Sequence, residues 1–79
     1  MPGNNNFLIE SEHSSHRLFF NGQQIGTFPT LDTAETEAAE LARRVFRGAR
    51  LRFELDFKWT LSDLEIRTAT LETPSELPA

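Results

Sequence analysis

Arg50-Leu51-Arg52-Phe53-Glu54-Leu55-Asp56-Phe57-Lys58-Trp59 is the stretch that decides the fold. Every odd position from Leu51 to Trp59 is large and apolar, and every even position from Arg50 to Lys58 is charged. A side-chain period of two belongs to a β-strand with one face buried and the other wet. Wound into a helix, the same apolar groups would scatter around the circumference. The decapeptide therefore reads as a central strand whose odd side chains form the floor of a single core.

Immediately upstream, Asp32 and Glu35 have the spacing of a capping box, which opens a helix over about 33–47. Ala34, Ala38, Leu41, Ala42 and Val45 recur at three- and four-residue intervals and give one narrow apolar stripe. Its alanines let the helix lie close to a sheet, and Phe46 falls off the stripe. Glutamates load the first half, while Arg43, Arg44 and Arg47 load the second, as the helix dipole favours. Gly48 is the expected left-handed terminator.

Farther upstream, Asn21-Gly22 divides His16–Asn21 from Gln23–Phe28 and signals a hairpin with a type I′ turn. A plain two-residue turn sets Leu18 opposite Ile25, Phe20 opposite Gln23 and Phe19 opposite Gln24. Phe19 then lies outside the core, beside Arg17 and Gly26. Pro29 closes the second strand because it lacks an N–H. Phe7-Leu8-Ile9 reads as an added edge strand, and 10–15 as a loop or frayed strand end. Downstream of the decapeptide, 60–63 is a turn. For 64–71, Ser62 with Glu65 suits a second helix, whereas the β-branched Ile66, Thr68 and Thr70 alternating with charge favour a strand. The expectation is an α+β domain over 7–72: β-hairpin, helix, β-hairpin, forming an antiparallel sheet of four to five strands with a single helix across one face. Flexible tails are expected over 1–6 and 73–79.

Composition narrows the chemistry. Seventy-nine residues suit one domain close to the smallest size at which one core suffices. The absence of cysteine excludes disulfides, thiolate catalysis and sulfur-ligated metal centres. No apolar run approaches the ~18 residues a membrane helix needs, and no signal-peptide pattern opens the chain, so a cytoplasmic location is expected. Net charge is −4, yet Arg43, Arg44, Arg47, Arg50 and Arg52 crowd into one segment.

Glu10, Glu12, His13 and His16 are usable metal ligands, but on an extended strand His13 and His16 point to opposite faces. Solvated loop histidines are the simpler reading, and no metal or cofactor is expected. Ser14 and Ser15 lack the strained turn and glycine-rich segment that nucleophilic catalysis uses. Glu54 and Asp56 alternate with Arg50, Arg52 and Lys58 as cross-strand ion partners rather than an acid–base pair. No catalytic residue is expected.

The remaining signals are the arginines and the stray aromatics. One helix covers only one face of the sheet, and the other face, which should be polar, carries Phe19. Phe19, Phe46, Arg43, Arg44, Arg47, Arg50 and Arg52 form the expected partner-binding set, since aromatics and arginines concentrate at interfaces. In architecture alone the chain is similar to many small accessory proteins of bacteria and their phages, including inhibitors of host defence complexes. That analogy implies a non-enzymatic module working by protein–protein contact, with a homodimer in view. The alternative is a nucleic-acid-binding protein that grips phosphates through the arginine patch.

Overall fold

The computed structural model describes residues 6–72. Within them lie β1 (Phe7–Glu12), β2 (Ser15–Phe20), β3 (Gln23–Phe28), α1 (Leu31–Val45), β4 (Arg50–Trp59) and β5 (Leu64–Glu72). The strands form one sheet in the order β3-β2-β1-β5-β4, and each neighbouring pair is antiparallel. The helix leaves the β3 edge, crosses one face and delivers the chain to the β4 edge. The expected α+β architecture is present, and 64–71 is strand. The tails expected over 1–6 and 73–79 lie outside the described residues, except for Asn6. That residue is held by the first hairpin: its N–H donates to Asn21 Oδ1 at 2.9 Å, and its carbonyl accepts from Asn21 N at 2.9 Å.

The centre of the sheet is β1, not β4. Phe7, Leu8 and Ile9 read as an edge addition because the run is so short. Yet an unbroken apolar run marks a strand that is apolar on both faces, here the covered face and the apolar part of the open one, whereas strict alternation with charge suits a strand with one wet face. Phe7 and Ile9 are completely buried beneath the helix, and Leu8 points to the other face. The decapeptide that sets the fold therefore sits at the rim, where its charged face meets water.

Ala34, Ala38 and Ala42 are fully buried against Phe7, Ile9 and Leu18. Each of those three large side chains contributes roughly 1.5–3 kcal/mol by leaving water. The next member of the four-residue series is Phe46, which packs edge-on to Phe20 at 6.2 Å between ring centroids. It belongs to the margin of the core, a correction to its placement off the stripe. Val45 is displaced instead and is 51% exposed. The helix begins two residues earlier than expected. Its cap is Thr30, whose Oγ1 accepts from Thr33 N at 3.1 Å, rather than Asp32. Starting there brings Leu31 against the core. Gly48 has φ +77°, as its terminating role requires.

Two bulges reshape what alternation alone implies. Between Leu55 and Phe57 the β4–β5 register shifts: Leu51, Phe53 and Leu55 face Leu71, Ala69 and Arg67, but Phe57 and Trp59 face Ile66 and Leu64. The extra residue, Asp56, rolls the end of the strand over. Phe57 and Trp59, expected in the core, are turned to the uncovered face and are 44% and 47% exposed. In β3, Ile25 is the extra residue, so Leu18 faces Gly26 rather than Ile25. Gly26 thus stands on the helix side, and Phe28 is carried into the core cluster. A methyl group on Gly26 would come within 3.2 Å of the Phe28 ring, so the missing side chain is the space that ring occupies.

Both hairpins of the β1–β2–β3 meander use two-residue turns. Asn21 and Gly22 have φ +52° and +85°, in keeping with the expected I′ geometry. His13 and Ser14, expected in a loop, form the other turn with φ +52° and +65°. A serine there carries a steric cost that glycine avoids. We expect Ser14→Gly to raise unfolding stability by about 1 kcal/mol. Gly22→Ala should lower it by about as much through the backbone alone, since no atom lies within 4 Å of the added methyl. Urea midpoints at constant slope check both. Ile9→Ala should cost about 2–5 kcal/mol by the same measurement, while a comparable truncation at exposed Val45 should cost little.

Candidate protein-binding surface

The face of the sheet opposite the helix is assembled from alternate residues of four strands. β1 contributes Leu8, Glu10 and Glu12; β2 contributes Arg17 and Phe19, directly opposite Glu10 and Leu8. β5 adds Leu64, Ile66 and Thr68, opposite Glu12, Glu10 and Leu8. β4 adds Phe57 and Trp59 through the bulge, and Glu54 before it. An apolar band therefore runs from Phe19 through Leu8 and Ile66 to Phe57 and Trp59. The last two rings stack with centroids 6.2 Å apart at 28°. At one end, Leu8, Phe19 and Ile66 line a shallow groove of about 310 Å³, rimmed by Asn6, Glu10, Asn21 and Gly22. At the other end Leu61, in the β4–β5 turn, is 89% exposed.

Charge borders the band in pairs. Arg17 is held between two carboxylates: Nε and Nη2 each lie 3.1 Å from Glu10 Oε1, and Nη2 lies 3.5 Å from Glu12. Arg52 lies 3.4 Å from Glu72 and 3.9 Å from Glu54. Such exposed or half-exposed pairs add at most about 1 kcal/mol each to stability. Their larger effect is to fix where charge sits along the border.

The expected partner-binding residues do not form one surface. Phe19 lies on the open face, as do Arg50 and Arg52, which alternate with the core-facing Leu51 and Phe53. Phe46 is on the helix side, half-buried on the core. Arg43 and Arg44 flank a depression with Glu40 and Gly48, also on the helix side, and Arg47 is exposed in the turn that follows. The arginine cluster of the sequence is thus divided between two sides of the sheet. Leu8, Phe57, Trp59 and Ile66 were not anticipated as surface residues. The signal for two of them lay in β5, whose apolar residues change parity between Ile66 and Ala69 while those of β4 do not. Only an extra residue in β4 lets each of Leu64, Ile66, Ala69 and Leu71 of β5 keep an apolar partner.

The other constellations are also separated. Glu10 and Glu12 point to the open face, His13 occupies the turn 3.9 Å from Glu12, and His16 points to the helix side. There His16 Nδ1 lies 2.7 Å from the Oγ of Ser11, which is buried. Among the described residues no group of three or more histidine, aspartate or glutamate side chains is placed to hold a metal ion. Beyond Ser11 the helix side turns polar, with Arg67 donating to Glu65 at 2.8 Å and Lys58 3.8 Å from Glu65. No described helix is long and apolar enough to cross a membrane. Comparison of the chain with protein-family models, with curated proteins and with solved structures returned no match.

Proposed function

We propose that this protein is a non-enzymatic protein-binding module that holds its partner on the uncovered sheet face. The observation that carries the reading is the continuous apolar band, ending in two stacked aromatics that a bulge has turned away from the core. Single exposed hydrophobes are ordinary, but a contiguous band with aromatic anchors and a charged border is the usual build of an interface. The groove between Leu8, Phe19 and Ile66 suits one large apolar side chain of the partner. Its neighbouring carboxylates are engaged by arginine: Glu10 and Glu12 by Arg17, and Glu54 by Arg52. That arrangement supports recognition rather than acid–base chemistry. A cytoplasmic setting is part of the same proposal. The reading of the arginines as a single phosphate grip has less support, because they stand on two sides of the sheet.

Affinity capture from cells that make the protein tests the proposal, comparing wild type with Phe19→Ala, Trp59→Ala and the helix-side control Val45→Ser. A specific partner should be retained by Val45→Ser and weakened ~10-fold or more by each open-face truncation, as at aromatic anchors elsewhere. Each variant should keep the far-ultraviolet circular dichroism of the parent. Capture unaffected by either truncation, or capture of nucleic acid alone with a steep salt dependence, would remove this reading.

A further inference from the structure

We propose that the free edge of β4 pairs with the β4 edge of a second copy of this chain, antiparallel and centred on Phe53. β4 is ten residues long and, among the described residues, is bonded on one side only, to β5. An edge of that length leaves a row of backbone N–H and C=O groups without ladder partners. Its side chains specify what pairs there. With Phe53 opposite itself, Arg52 faces Glu54 of the other copy, Arg50 faces Asp56, and Leu51 faces Leu55. Two-fold symmetry then repeats each of these contacts.

No neighbouring register does the same. Sliding by two residues one way sets Arg52 against Arg52. Sliding the other way sets Glu54 against Glu54 and Arg50 against Lys58. A slip of one residue puts charged groups opposite apolar ones and mixes the two faces. The stretch that matches itself ends at Asp56, where the bulge interrupts regular pairing. It also supplies an apolar partner to a side chain whose cross-strand neighbour within the chain is Arg67. Leu55 points to the helix side yet is 49% exposed, and in the pairing it meets Leu51 of the second copy. The two sheets become continuous, with both helices on one side and both apolar bands on the other. The self-matching order of charge favours a second copy over an extended segment of another protein, which would need no such symmetry.

Sedimentation velocity over a wide concentration range tests this with the full chain. Wild type should show a reversible monomer–dimer equilibrium that weakens with salt. Arg52→Glu and Glu54→Arg, both at well-exposed positions, should each raise the dimer Kd ~10-fold or more, because each puts like charges opposite one another twice per dimer. An equimolar mixture of the two variants should associate again, since the new carboxylate of one chain faces the new guanidinium of the other. Reciprocal variants Arg50→Asp and Asp56→Arg should behave alike, and circular dichroism verifies that all four remain folded. The proposal is overturned by a wild type that stays monomeric throughout, by a dimer indifferent to both charge reversals, or by a mixture no stronger than its components. A dimer abolished by Phe19→Ala instead would assign self-association to the open face.

Discussion

Three methyl groups in a line, Ala34, Ala38 and Ala42, hold this structure in its form. Because they are small, the helix backbone descends onto the sheet and the large core side chains come from below, from Phe7, Ile9 and Leu18. The same economy limits the helix. Its buried line is one residue wide and closes with Phe46 on Phe20, so it seals only part of one face. Past Ser11 the covered side becomes polar, and at Leu55 it becomes solvent-facing. Among the described residues no second layer lies over the other face. That the other face is apolar along a diagonal is the feature on which the proposed partner contact rests.

Most of the secondary structure was legible because local signals agreed with one another. Asn21-Gly22 announced a turn whose two positive φ angles are observed, and Gly48 announced the end of the helix. The β-branched residues of 64–71 outweighed the competing helix cap, as they do when a strand has neighbours to pair with. Sheet order was harder to read, since alternation shows that a strand has a wet face without showing how many neighbours it has. The uninterrupted Phe7-Leu8-Ile9 marked β1 as apolar on both faces, in only three residues. The His13-Ser14 turn had no typical composition, and it is dictated by the pairing of the strands it joins.

The surface was legible only in part, and the reason is geometric. An added residue leaves the alternation of its own strand intact, so Leu51 to Trp59 looks like one face all the way along. The exchange of sides becomes apparent only when Ile66 and Ala69 in the neighbouring strand are compared. The arginines misled in the opposite sense: five residues close in the chain are split by the turn between helix and strand. Arg43, Arg44 and Arg47 remain with the helix, whereas Arg50 and Arg52 pass to the open face, where Arg52 meets Glu72 and Glu54.

At the kink around Asp56 the outer chemistry of the second hairpin is set by pairing across the strands, not by parity along one of them. Loss of that single codon would straighten the strand yet leave Phe57 opposite Ile66 and Trp59 opposite Leu64, because the residue removed is the extra one. Two descendants of this gene differing by that one deletion would differ in the bend of the strand while showing the same aromatics outward. The partner strand, through Ile66 and Leu64, is what holds those rings on their side.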